Sequence, residues 1–367
     1  MSPPTGRRGP IAALLLKLVV VAVSVGVPLA MAEVACRLAG YRGLEVYRPD
    51  SEVGWVLAPD QETVTSAGHL PVRISSQGFR DTLLADPRPD SLIVVAALGA
   101  STTYGWGVKL EETYHQLLER RLNDGARAAG SGVRYEVLNA GIVGYNLRQA
   151  GGLMERLIRD HAPDGFLVAY TFNDAWNRFG GLPDAERDRV LAGVRRKNVL
   201  RQSALFNWIT TTVGRRAYRS AARQEGGDHP ARVQTGDGPA ERADLADLRA
   251  TLEGMGERAG QAGASLVLLV PAARGQVEPW PRQAEMAQAG AALGVPVVDL
   301  LPVFRGLTAA TAFLADDAVH PSAAGHHLVS RELLSGLCRA AAAAGAADPV
   351  AIYRPGCGIP AGPGPGR

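Results

Sequence analysis

Cysteine is scarce, net charge is small and no unit of the chain repeats, and each shortage removes a class of protein. Cys36, Cys338 and Cys357 are too few and too scattered for a disulfide framework or a zinc cluster. Cys338 and Cys357 could pair in an oxidising compartment or stay as thiols, and the spacing leaves both open. The formal net charge is +3, and no run of lysines alternates with aromatics, so nucleic acid is not an expected partner. Without a metal-ligand cluster or a glycine-rich phosphate loop, no metal and no cofactor is expected. Hydrophobic residues make up 46% of the 367 residues and charged ones 20%, a balance that excludes a chain disordered throughout. The length suits one large domain or two modest ones.

What the sequence does have begins at its N-terminus. Arg7 and Arg8 precede an apolar stretch over residues 11–32, broken mainly by Lys17. It is long enough to cross a hydrocarbon core of ~30 Å as a helix. Lys17 lies near the cytoplasmic end, where its stem can reach the headgroups. Basic residues ahead of the span predict the N-terminus inside and the rest of the chain outside. Ala30-Met31-Ala32 also resembles a signal-peptide cleavage site. The expectation is an anchor over residues 1–32, with a cleaved signal peptide as the rival; either exports the remainder.

Residues 33–90 read as a turn-rich N-terminal extension with one alternating strand at 70–74 and a turn at 75–78. A regular alternation follows. Short apolar runs at 91–98, 133–138, 165–170, 265–270 and 295–300 predict strands buried on both faces. Helical spacing predicts helices at 111–122, 147–158, 242–262, 282–293 and 323–343. The pattern implies a three-layer α/β/α domain over 91–345 around a central five-stranded parallel sheet, flavodoxin-like in general form. Residues 177–241 interrupt it as an insertion, either a lid over a site or a solvated excursion. The glycine- and proline-rich residues toward the end of 346–367 predict a disordered tail.

Four segments carry possible chemistry. Ser101 follows the first buried run in Gly99-Ala100-Ser101-Thr102, at the strand end where open parallel sheets bind ligands. Asp317 and His320 lie in Asp-Ala-Val-His before the last helix. A serine hydroxyl needs a base to become a nucleophile. Histidine serves because its ordinary pKa is ~6.5, and a carboxylate fixes its tautomer. Asp317 can reach His320 across one tight turn, and Asp316 is the alternative. Asn139-Ala140-Gly141-Ile142-Val143-Gly144 follows the second strand and Thr171-Phe172-Asn173-Asp174 the third. Glycine N–H groups and an asparagine amide there can face the negative charge that acyl transfer places on a carbonyl oxygen.

Taken in order, these blocks resemble the SGNH/GDSL hydrolase family. That family has a serine after the first strand, a glycine after the second, an asparagine after the third and Asp-x-x-His near the C-terminus. The matching residues are Ser101, Gly141, Asn173, Asp317 and His320. Ala100 and Thr171 depart from the family's common Gly-Asp-Ser and Gly-x-Asn-Asp blocks. The stretch from Gly99 to Val108 is also similar to the nucleophile segment of membrane-anchored bacterial members. The resemblance implies a catalytic Ser101–His320–Asp317 set, with the N–H groups of Ser101 and Gly141 and the Asn173 amide as oxyanion donors. Tyr104, Trp106, Tyr145 and Trp176 follow the blocks closely and are candidate pocket residues. The expected function is hydrolysis of acyl esters on a glycan or lipid, outside the cytoplasm. An acyltransferase using the same residues, or an idle anchored glycan-binding protein, stays open, as does the oligomeric state.

Overall fold

The computed structural model describes residues 10–65, 70–170, 172–175, 177–214, 239–305, 307, 309–315 and 317–359. The chain opens on one long helix, α1 (Pro10–Leu38), whose side chains from Ile11 onward are largely exposed. Its stretch Ile11–Leu38 is long and apolar enough to cross a membrane, as an anchor or as a signal sequence. Two antiparallel hairpins follow: β1 (Tyr47–Asp50) with β2 (Gly54–Leu57), and β3 (Gln61–Val64) with β4 (Pro71–Ile74).

The central sheet holds five strands, all parallel: β5 (Leu92–Gly99), β6 (Arg134–Gly141), β7 (Gly165–Ala169), β8 (Ser265–Val270) and β9 (Val297–Asp299). Every residue of β7 and β8 is buried, which is why these runs are apolar without alternation. Successive side chains point to opposite faces. Val95 and Ala97 therefore join Tyr114, Leu118 and Leu122 in one core, and Ala96 and Leu98 join Leu153, Met154 and Leu157 in the other. Helices α3 (Tyr114–Ala128) and Ala323–Ala343 cover the first face. Helices α4 (Leu147–His161), Pro239–Gln261 and Pro281–Leu293 cover the second. This is the three-layer α/β/α arrangement. The strand order β6-β5-β7-β8-β9 makes the chain step from β5 to one side and then to the other. A crevice therefore opens at the carboxyl end of β5, where the short helix α2 (Ser101–Tyr104) begins.

The insertion forms α5 (Asp184–Arg201) and α6 (Ala204–Trp208). Within residues 177–214, α5 and α6 pack on the extension. Tyr47 N–H donates to Asn198 Oδ1 at 3.1 Å, Leu44 N–H to Arg201 O at 2.6 Å, and Arg201 pairs with the fully buried Glu45 at 2.9 Å. Extension and insertion thus make one layer from two distant parts of the chain. The disordered tail expected over 346–367 needs correction. Residues up to 359 are ordered, with short helical turns at Pro349–Tyr353 and Pro355–Cys357. Val350 and Tyr353 are buried, the Tyr135 hydroxyl donates to Ile352 O at 2.6 Å, and a disulfide joins Cys338 to Cys357. Apolar burial and a covalent tie outweigh the composition of this segment; 360–367 lie outside the described residues.

Candidate active site

Gly99 ends β5 and α2 follows at once. A Cβ on Gly99 would meet Thr103 Oγ1 at 2.2 Å, so only glycine lets the helix turn back this tightly over the strand end. Ser101, at the first position of that helix, is half-buried. His320 approaches from the loop before Ala323–Ala343. The loop is held by Leu314 N–H donating to His320 O at 3.0 Å and Arg274 N–H, from beyond β8, donating to Ala318 O at 2.7 Å. Within it, Asp317 Oδ1 accepts the N–H groups of Val319 and His320, each at 2.8 Å. Asp317 Oδ2 stands 2.8 Å from His320 Nδ1, and His320 Nε2 stands 2.8 Å from Ser101 Oγ. Burial by itself would raise the Asp317 pKa, but the hydrogen bonds and the His320 charge outweigh it and hold the carboxyl below its usual range. The group stays a carboxylate, and the tautomer with hydrogen on Nδ1 leaves Nε2 to accept from Ser101. Asp316, the alternative partner, lies outside the described residues.

The opposite side is built from the loops after β6 and β7. The oxyanion role expected for Gly141 does not fit its surroundings. Its N–H already donates to Asn139 Oδ1 at 3.1 Å, and a Cβ there would lie 2.3 Å from Tyr104 N. Gly141 is the glycine that lets β6 touch α2. Gly144 differs: its φ is +84°, and its N–H has no acceptor among the described residues. Asn173 Nδ2 donates one hydrogen to Tyr145 O at 2.9 Å, which orients the amide and leaves its second N–H. Asp174 Oδ1 accepts from Leu147 N–H at 2.8 Å, the first N–H of α4, whose N-cap is Asn146. Beside this loop a cavity of about 400 Å³ is lined by Asp174, Asn177, Arg178, Asp244 and Arg282 among others, but not by Ser101 or His320.

The model of the GDSL-like lipase/acylhydrolase family matches residues 97–328, from β5 into the last long helix. The chain belongs to that family. No curated protein matches it. Among solved structures, TesA is 17% identical, with 66% of this chain and 97% of that one covered, at a TM-score of 0.40. Axe2, an acetylxylan esterase from Geobacillus stearothermophilus, is 16% identical, covering 66% and 93%, at 0.42. LAE5, described as an alpha/beta hydrolase enzyme from the metagenome of Lake Arreo, Spain, is 17% identical, covering 66% and 94%, at 0.41.

Within this GDSL-family chain the aromatic pocket largely dissolves. Tyr104 and Tyr145 are fully buried core residues, not pocket walls. The Tyr145 hydroxyl donates to Trp55 O at 2.5 Å, and the Tyr104 ring lies under the Arg80 guanidinium, 4.9 Å from its centroid. Tyrosine at a strand end has enough apolar body to be drawn into the core whenever its hydroxyl or ring face finds a partner. Trp106 does border the site, its ring centroid 5.9 Å from that of His320. Trp176 and Thr171 lie outside the described residues.

Two residues that braced the site escaped the sequence reasoning, and both belong to the extension, outside the family match. Arg80, 1% exposed, donates to the carbonyls of Tyr104, Gly105 and Val108 at 2.9, 2.7 and 2.8 Å. It thereby closes the end of α2 and holds the loop that carries Trp106. Trp55 Nε1 donates to Val143 O at 3.0 Å, just before Gly144. An arginine and a tryptophan in a turn-rich stretch give no local sign of such contacts. Behind α2, His326 Nδ1 accepts the Tyr114 N–H at 3.1 Å, and burial lowers its pKa to about 3, so it stays neutral. Among the described residues no group of His, Cys, Asp and Glu is arranged to hold a metal ion.

Proposed function

We propose that this chain is an exported serine esterase that hydrolyses O-acyl esters through an acyl-enzyme. The observation that carries the reading is the row Asp317–His320–Ser101, linked by two contacts of 2.8 Å. Ser101 Oγ attacks the ester carbonyl carbon while His320 Nε2 takes its proton. The tetrahedral oxyanion is met by the N–H groups of Ser101 and Gly144 and the second N–H of the Asn173 amide. The bond to the alkoxy group breaks as His320 returns the proton to it. Water then attacks the acyl-Ser101, with His320 again as base, and releases the carboxylic acid. Asp317 keeps its negative charge throughout and stabilises the imidazolium. Export is supported by Arg7 and Arg8 ahead of an apolar span and by the Cys338–Cys357 disulfide, a bond that persists mainly in oxidising compartments.

The test is labelling of the purified chain with a fluorophosphonate, followed by a panel of acyl esters with and without glycan acceptors. Ser101→Ala is expected to abolish labelling and to lower ester turnover by several orders of magnitude, on the order of 10⁴-fold or more, with the fold intact. Turnover that survives in a folded Ser101→Ala protein removes Ser101 as nucleophile.

A further inference from the structure

Outside α1 the described chain exposes few large apolar side chains, and four of them, Val199, Leu200, Trp208 and Ile209, flank one point: the junction of α5 and α6. That junction is fastened to the end of α1. The Glu33 carboxylate accepts from Ser203 Oγ at 2.7 Å, Ala204 N–H at 3.0 Å and Leu205 N–H at 2.9 Å. Arg37 donates to Gln202 O at 3.3 Å, and Asn207 Nδ2 donates to Arg42 O at 2.6 Å. If Ile11 starts the crossing, about 20 residues at 1.5 Å each use up the ~30 Å hydrocarbon core. Glu33 then stands in the headgroup layer, and whatever it grips stands there too. Trp208 and Ile209 are only about one helical turn beyond that grip, and Val199 and Leu200 about one turn before it.

The charge around these residues points the same way. Between residues 193 and 214 the sequence has Arg195, Arg196, Lys197 and Arg201 and no acidic residue. Arg201 is taken by buried Glu45, whereas Arg195, Arg196 and Lys197 are exposed. Arg195 precedes Val199, and Arg196 precedes Leu200, by four positions, so each pair shares a helix face. Apolar side chains backed by cations one turn away, with a tryptophan among them, is the composition of a helix that lies in a membrane interface.

We propose that the α5–α6 junction is a second membrane contact, a patch seated in the leaflet through which α1 leaves the bilayer. Val199, Leu200, Trp208 and Ile209 enter the upper acyl region, and Arg195, Arg196 and Lys197 meet anionic lipid phosphates. A single spanning helix leaves a domain free to swivel; this second contact fixes which face of the domain looks at the membrane. The occupant is lipid because the patch continues the apolar surface of α1 at the depth Glu33 sets. The inference rests on the anchor half of the preceding reading and is independent of the esterase half.

The full-length chain is reconstituted in phosphatidylcholine vesicles containing phosphatidylglycerol, with bromines on the upper acyl chain as quenchers. Trp208 is the exposed one among the described tryptophans. Upper-chain bromines are expected to quench the wild type, and Trp208→Phe to lose most of that quenching. The double variant Val199→Asp with Leu200→Asp changes only exposed positions; it should weaken the quenching, as should omission of phosphatidylglycerol, with turnover of a soluble ester unchanged. Equal quenching in wild type and Trp208→Phe overturns the patch. So does protection of Trp208 that grows with protein density and accompanies cross-linked dimers, since a second copy then covers it. Alkaline carbonate extraction separates the two readings. A released chain fails the anchor, and a retained chain with unquenched Trp208 fails the patch alone.

Discussion

Ser101 sits on the tight α2 turn and Asp317 meets His320 at 2.8 Å within one loop, each set by near neighbours, and packing then brings His320 to 2.8 Å of Ser101 from 219 positions away. The proposed donors facing them are built otherwise. Gly144 and Asn173 sit in loops whose carbonyls are gripped from elsewhere: Val143 O by Trp55, Gly144 O by Asn177 at 2.7 Å, and Tyr145 O by Asn173 itself. One half of the site is local and survives as a motif. The other half is a packing arrangement to which the extension contributes. The difference teaches where a family pattern can be trusted residue by residue and where it locates only a loop.

The largest effect expected on the donor side comes from Asn173. Removing one oxyanion donor costs roughly 3–4 kcal/mol, or about 100- to 1000-fold in rate. Asn173→Ala should therefore depress kcat far more than it raises KM, because the charge develops in the transition state. Asp174→Ala, which takes away the acceptor of the Leu147 N–H at the start of α4, should act through stability, by about 1 kcal/mol. An Asn173→Ala enzyme with normal kcat and raised KM would make Asn173 a substrate-binding group and blur the contrast.

Arg80 tests whether the extension braces the nucleophile side as well. Arg80→Met removes the donor of three hydrogen bonds: Val108 O is left without one, whereas Tyr104 O keeps Asn139 Nδ2 at 3.2 Å and Gly105 O keeps the Val108 N–H at 3.3 Å, so the cost is about 1–3 kcal/mol for one buried polar group left unpaired. Denaturant unfolding should show a loss of that order, with Arg80→Lys recovering part of it. A variant as stable as the wild type would confine the brace to the donor side.

The two glycines sharpen the comparison further. Gly141→Ala places a methyl 2.3 Å from Tyr104 N and should cost about 1–3 kcal/mol of stability by overpacking. Gly144→Ala brings a Cβ into tight contact with Trp55 at 3.3 Å and sits at φ +84°; it should cost about 1–2 kcal/mol in strain, with a loss of turnover beyond that. A Gly141→Ala protein of normal stability but low kcat would return the donor role to Gly141.

A separate, pH-dependent effect concerns a carboxylate cluster beside β6. Burial, with Asp81 and Glu136 nearby, pushes Glu119 from 4.5 up to about 7 against the hydrogen bond from Val137 N–H. A raised carboxyl stabilises the fold fully below its unfolded pKa, and that contribution is lost as pH rises through the folded value. The melting temperature should accordingly fall as pH rises from about 5 to 8, and Glu119→Gln should flatten that slope. An unchanged slope in Glu119→Gln would assign it to other groups.

The strands and long helices were legible because burial on both faces demands unbroken apolar runs. The expected 265–270 strand is observed as Ser265–Val270, and the helix over 323–343 as Ala323–Ala343. Ser101 and the pairing of Asp317 with His320 were legible because a strand end and a three-residue turn are local geometry. Gly144 stood in the same loop as Gly141 in the sequence, yet which glycine keeps an open N–H depends on Asn139 and α2, neither of which a glycine pattern encodes. Tyr104 and Tyr145 read as pocket walls because sequence position gives their loop and not the direction of the ring.

By itself, then, the sequence determined the layer order, the apolar span and the acid–base arm of the site, each set by periodicity or by contacts among near neighbours. Only the tertiary structure decided that the extension and the insertion form one layer, that Arg80 closes α2, and that Cys338 reaches Cys357. Those contacts join residues from 19 to more than 150 positions apart. Their partners are chosen by which surfaces the packed sheet brings together, and no local pattern of side chains records that choice.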